Sequence, residues 1–169
     1  MTIREARKDD AGKVIDLLRR LDSETTFMLF EPGERSTDLA DQEKQIERFS
    51  ESENRIMLLA ESSHEVVAAS FGYGGQVNRN KHVAHVVLGV AKRHWRKGIG
   101  ARLMQEIEDW AAKRDFHKLS LTVMEHNHAA RNLYRRLGYI EEGLKRDSLK
   151  VGNQYVNEIC MGKLLGDQA

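Results

Sequence analysis

The sequence has one cysteine and one proline in 169 residues, and each shortage closes off a class of protein. A lone thiol, Cys160, allows no internal disulfide framework and no metal site built on several cysteines. Lying in the apolar stretch EICMGKLL, it reads as a small core residue rather than a nucleophile. Long apolar runs are missing too: nothing approaches the roughly 18 residues of a membrane span, and MTIREARKDD at the N-terminus is charged from Arg4 onward with no apolar signal core. The expectation is a cytoplasmic protein without a membrane partner. Nor is there an excess of charge of one sign, with 27 Lys+Arg against 26 Asp+Glu. Without a global field to gather phosphates, nucleic acid is not the expected partner.

What is present, 40% hydrophobic and 31% charged residues, fits a single domain over residues 1–166 around one core. Thr2 to Arg7 reads as a first strand. Asp9 or Asp10 then offers an N-cap to a helix with Val14, Ile15, Leu18 and Leu21 on one face. Asp22 to Asp38, with the Pro-Gly turn, reads as an ordered loop, followed by a polar helix from Leu39 to Phe49. Three strands follow at Ile56–Glu61, Glu65–Gly75 and His82–Ala91. A helix placing Ile99, Leu103, Ile107 and Trp110 on one stripe comes next, then a strand at Lys118–Met124 and a helix at Asn127–Leu137. Two last strands, Ile140–Leu149 and Tyr155–Leu164, join around Gly152-Asn153. The order predicts a mixed α/β sheet with helices on its faces.

The motif that carries chemistry is HWRKGIGARLM. Backbone N–H groups at a helix start lack intrahelical partners and sit at the positive end of the macrodipole, so glycines there open the way for phosphate. Gly98 and Gly100 do this, with Arg93, Arg96 and Lys97 beside them; a tight strand-to-helix connection with solvated basic residues explains the same letters. Spacing excludes two nucleotide-binding readings. A Walker A loop needs Lys and then Ser or Thr after its last glycine, and a Rossmann fingerprint needs Gly or Ala where Leu103 stands.

LGVAKRHWRKGIGARLM, followed by KLSLTVMEHNHAARNLYRRLGYIEEG and VGNQYVNEICMGKLL, resembles the GNAT superfamily of acetyl-CoA-dependent N-acetyltransferases over nearly the whole chain. The resemblance implies the GNAT fold, a sheet of about seven strands with helices on both faces, opened where the fourth and fifth strands part. It implies that Trp95, Arg96, Lys97, Gly98, Ile99, Gly100 and Ala101 hold the coenzyme A pyrophosphate. Trp95 departs from the usual Arg or Gln at the first position, so the grip is expected from backbone amides rather than from that side chain. A bulge at Leu88, Gly89 and Val90 is implied as well, exposing backbone groups to the pantetheine arm and the thioester oxygen, an oxyanion-type site.

Asn127 and Tyr134, seven residues apart, project from nearly the same helix face about 10 Å apart along the axis. As residues alone they fit an N-cap and a core aromatic. The resemblance implies that Asn127, together with Asn132, lines the coenzyme cleft and that Tyr134 is catalytic, protonating the departing thiolate. The resemblance also implies that the loop after the first helix walls the acceptor side, where Glu31 and Glu34 would suit a cationic amine, though solvated charges explain the same residues; His82 is a substrate-side candidate or an ordinary strand histidine, since His82 and His85 alternate to opposite faces. No histidine spacing suggests a metal site. The expected reaction is direct acetyl transfer from acetyl-CoA to a primary amine, foremost a small cationic one such as a polyamine or amino acid. A protein N-terminus or lysine as acceptor, and a non-catalytic coenzyme A-binding regulatory module, are the alternatives. A homodimer is a family-level expectation.

Overall fold

In the computed structural model, residues 1–166 are described. They form a seven-stranded sheet of order β1-β2-β3-β4-β5-β7-β6 with helices on both faces, the predicted architecture. Its elements run β1 (Thr2–Glu5), α1 (Ala11–Glu24), α2 (Leu39–Ser50), β2 (Arg55–Ser62), β3 (Glu65–Gly74), β4 (Val83–Val90), α3 (Ile99–Lys113), β5 (Lys118–Met124), α4 (His128–Arg136), β6 (Ile140–Val151) and β7 (Gln154–Leu164). No helix among them is long and apolar enough to cross a membrane.

Strand alternation splits the core in two. Odd-numbered residues of β2 and β3 (Met57, Leu59, Ala69, Phe71) meet Val14, Leu18 and Leu21 of α1 and Ile46 and Phe49 of α2. Even-numbered residues of β2 and β4 (Ile56, Leu58, Ala84, Val86) meet the predicted stripe of α3, with Tyr134 of α4 beside it.

Differences from the sequence reading have local causes. β1 stops at Glu5 because Asp10 draws the chain into a short 3-10 turn: its carboxylate accepts from the Arg7 amide at 2.8 Å and from both Arg4 terminal nitrogens at 2.7 and 2.8 Å. Asp10 therefore stands at the start of α1 without capping it. Asp38 caps α2 through the Asp41 amide at 2.9 Å. Cys160 is half-buried rather than in the core: Ile159 and Met161 turn toward α3, and Cys160 takes the opposite face, beyond α1 and α2.

One irregularity of the sheet positions the site. β4 and β5 pair in parallel only from Val83 to His85 against Lys118 to Ser120, and then part. β4 stays paired with β3 up to Val90 in unbroken register, so the expected bulge at Leu88–Val90 is absent. Divergence of the neighbouring strand opens β4 instead.

Candidate active site

The open edge of β4 follows from hydrogen-bond alternation. Ala91 donates to the Val67 carbonyl at 2.9 Å and the Val83 carbonyl accepts from Gly75 at 3.0 Å, so odd-numbered residues of β4 turn their backbone groups toward β3. Leu88 and Val90 turn theirs the other way, into the wedge that β5 has left. The Val90 carbonyl is taken by the indole Nε1 of Trp95, which donates to it at 2.7 Å. Both groups of Leu88 and the Val90 amide face the wedge without a strand partner.

The wedge runs into the glycine turn. After a 3-10 turn at Lys92–His94, Arg96 and Gly98 take positive φ, 59° and 77°, and α3 begins at Ile99. The first amide to find a helical acceptor is that of Arg102, on the Gly98 carbonyl at 3.1 Å; among the described residues the amides from Arg96 to Ala101 have none. The two glycines differ in task. A Cβ on Gly98 would meet nothing within 4 Å, so this glycine serves the left-handed backbone. On Gly100 it would come within 3.1 Å of Leu133 and 3.3 Å of Leu88, so this one lets α3 close onto α4 and β4. Ile99 is buried in the core and offers only its amide, whereas Arg96 and Lys97 are exposed and without ion pairs among the described residues. The local field is positive: burial first, then Lys97 and Arg93, hold the His94 imidazole below its ordinary pKa.

On α4, Asn127 Oδ1 accepts from the Ala130 amide at 3.2 Å, so the side chain caps the helix, with its oxygen committed there. Asn132 is exposed and accepts from Arg135 at 3.2 Å. Tyr134 is 7% exposed, its hydroxyl has no hydrogen-bond partner among the described residues, and burial pushes its pKa to about 12. Leu133, next to it, reaches Gly100, so α4, the open edge of β4 and the glycine turn converge at one point.

The opposite face of the sheet holds a cavity of about 510 Å³ between α1, α2, the loop joining them, and β3–β4; Arg19, Met28, Arg48, Tyr73 and Val87 are among its walls. The loop crosses the mouth of the wedge: Met28 lies beside Gly89 of β4, and the Phe27 ring is 5.3 Å from that of His126, just past β5. Glu31 and Glu34 do not line this cavity. They build a turn, with a Glu34 carboxylate oxygen accepting from the Glu31 amide at 2.7 Å, and both are exposed. His82 is exposed at the closed end of the β4–β5 pair, a strand length from Val90. The histidine at the fork is His85, opposite Tyr73 on β3 and in the last pair with β5. Burial first, then Lys145, lower its pKa, opposed by Glu158.

The sequence profile of the Acetyltransferase (GNAT) family matches residues 16–139, from α1 through the wedge and glycine turn to the end of α4. The chain belongs to the GNAT acetyltransferase family. Its relatives include YhfO of Bacillus subtilis (strain 168), an uncharacterized N-acetyltransferase that is 26% identical over 144 residues, 84% of this chain and 91% of that one. A GNAT-family acetyltransferase of Streptococcus pneumoniae superposes with a TM-score of 0.92 at 28% identity, covering 98% of this chain and 99% of that one. The structure of yncA from Salmonella typhimurium with its cofactor acetyl-CoA matches at a TM-score of 0.87 and 18% identity, over 100% and 96% of the two chains.

For this GNAT acetyltransferase the structure brings together Leu88, Val90, Trp95 and the 96–101 turn, with α4 packed on them through Leu133, the neighbour of Tyr134; it engages Asn127 and Asn132 within α4 and leaves Glu31, Glu34 and His82 outside. The residues that sequence reasoning missed are the walls of the cavity. Tyr73, Val87 and Arg48 come from three elements, and no local motif ties them together.

Proposed function

We propose that the protein transfers the acetyl group of acetyl-CoA directly to a small primary amine. What supports this reading is a row of unpartnered amides on the α3 side of the sheet and a cavity on its other face, with the wedge between β4 and β5 beside both. On the α3 side, the unpartnered amides of Arg96 to Ala101 suit a pyrophosphate, and Arg96 and Lys97 add mobile charge. The free groups of Leu88 and the Val90 amide suit an extended amide-bearing arm and an oxygen that gains charge. Acetyl-CoA, when bound, supplies an acyl group activated as a thioester. The fit agrees with the relatives whose structures contain acetyl-CoA, yncA and a phosphinothricin acetyltransferase of Sinorhizobium meliloti.

Tyr134 stands on the donor side as hydrogen-bond donor to the departing sulfur. With its pKa pushed up to about 12 it stays protonated. Full transfer to a thiolate, whose conjugate acid is near 8.5, runs uphill, so the phenol acts by holding its proton against the sulfur while solvent completes the exchange. On the acceptor side His85 faces the cavity's side of the sheet at the fork. Its lowered pKa leaves the imidazole neutral at neutral pH, free to take, directly or through water, the proton that the attacking amine nitrogen sheds as its bond to the acetyl carbon forms and the bond to sulfur breaks.

Thiol release from acetyl-CoA, measured over a panel of primary amines, peptides and a lysine-containing protein, tests the proposal. Turnover on small amines supports it. Turnover confined to peptides or protein moves the acceptor to the macromolecular class, and thermal stabilisation by acetyl-CoA without turnover on any acceptor makes the protein a binding module.

A further inference from the structure

The charges around the acceptor cavity are uneven, and they run against a polycationic acceptor. Arg35 and Asp38 are already engaged. Arg35 is paired with buried Asp22 at 2.5 and 3.1 Å and lies 4.3 Å over the Phe30 ring, while Asp38 caps α2. That leaves Arg19, Arg48 and Asp41 as lining charges with no ion-pair partner among the described residues. Asp41 and Arg48 are seven residues apart on α2, so they sit about 10 Å from each other along the helix, on the same side. Arg48 and Tyr73 line the same cavity, and the residue after Arg48, Phe49, packs edge-on against the Tyr73 ring at 5.2 Å. Arg55 stands directly opposite Tyr73 on β2, on the same face of the sheet; burial pushes the Tyr73 phenol's pKa up, and the charges of Arg55 and Arg35 oppose this. One end of the cavity is therefore a phenol donor among arginines.

Across the sheet the row reads Arg55, Tyr73, His85, with neighbouring strands about 5 Å apart. A molecule whose amine lies at the fork, next to His85, has its other end within about one or two strand spacings of Tyr73, which lines the same cavity as Arg48. We propose that the acceptor is an amine carrying an acidic group on a short carbon chain, an amino acid in the broad sense, with Arg48 and Tyr73 holding the oxyanion. This rests on the acetyltransferase reading above and names the acceptor for that same cavity. Guanidinium and phenol donors around an oxyanion form charge-assisted hydrogen bonds, whereas a second ammonium there would face the arginines unpaired.

The test compares acceptors matched in length: glycine, 4-aminobutyrate, aspartate and glutamate against ethylamine, butylamine and spermidine, with an alanine-starting tetrapeptide as a further arm. The wild-type enzyme should favour one or more of the acidic amines in kcat/KM. R48M should raise KM for the best of them by about tenfold or more with kcat changed little, leave the neutral amines unaffected, and be partly rescued by R48K. Calorimetric binding of the acidic amines to the folded protein, lost in R48M and retained in wild type, reads the same site without turnover. Preference for spermidine, for neutral amines or for the tetrapeptide overturns the proposal, as does an R48M enzyme with unchanged KM and binding. Failure of every acceptor to release thiol, with acidic amines still binding through Arg48, would overturn the acetyltransferase reading and leave only the acidic-amine site at Arg48 standing.

Discussion

The indole Nε1 of Trp95 donates a hydrogen bond of 2.7 Å to the carbonyl of Val90, the last residue of β4. The bond ties the glycine turn to the strand and takes up the carbonyl that would otherwise project into the wedge beside the unpartnered amides of that turn. Trp95 thus acts on the backbone at the motif position where the family usually has Arg or Gln. Trp95→Phe, which keeps the ring and deletes the donor, should raise KM for acetyl-CoA by about fivefold, the value of one ordinary hydrogen bond. Steady-state kinetics with acetyl-CoA varied would show it, and an unchanged KM would mean that the turn is held by packing alone.

Tyr134→Phe preserves the buried ring, so acetyl-CoA binding measured by calorimetry should stay near wild type. Turnover should fall on the order of a hundredfold, as expected for loss of a positioned proton donor. A mutant with full kcat on a good acceptor would remove Tyr134 from the chemistry.

The fall in kcat/KM toward acid should report His85. Its pKa lies below the ordinary 6.5 through burial and Lys145. The neutral, active form therefore persists to lower pH than for a free imidazole, and activity is lost only as pH drops below that value. His85→Gln should flatten this limb while lowering the plateau. Lys145→Glu, which reverses the nearby charge, should move the limb to higher pH.

Asp10 holds Arg4 and the Arg7 amide at the entry to α1, and the Arg4 hydrogen bond is the main reason its carboxyl lies below the usual carboxylate range. A depressed folded-state value contributes stability above the unfolded carboxylate pKa, and this is lost as pH falls through the folded value. Asp10→Asn should cost about 1–2 kcal/mol at pH 7, reduced because Arg4 keeps some solvent contact. Urea unfolding of both proteins should show the difference shrinking toward acid.

Local constraints were readable from the sequence. Ile99, Leu103, Ile107 and Trp110 announce their helix because one face repeats. The 96–101 turn shows as two glycines beside cations at a helix start, whereas the role expected of Tyr134 comes from the family resemblance, because its spacing alone fits a core aromatic. The acceptor side resisted because it is assembled across the chain. Glu31 and Glu34 look like a substrate wall until Pro32 and Gly33, the latter at a φ of 89°, fold them back on each other. Which histidine meets the cleft depends on where β4 and β5 stop pairing, at His85 and Ser120, a property of packing that alternation along one strand does not contain. Tyr73 joined the site only through its register with Arg55 and His85.

The half-open β4 has a meaning for solution behaviour as well as for chemistry. An unpaired strand edge is a template for any other chain that offers a matching row of amides and carbonyls, and proteins that keep one open risk edge-to-edge association. Here the guest arm in the wedge would stand in for the missing stretch of strand. Loading the donor is then also a way of finishing the sheet, which should slow hydrogen exchange at the Leu88 and Val90 amides and make the loaded protein less prone to aggregate than the empty one.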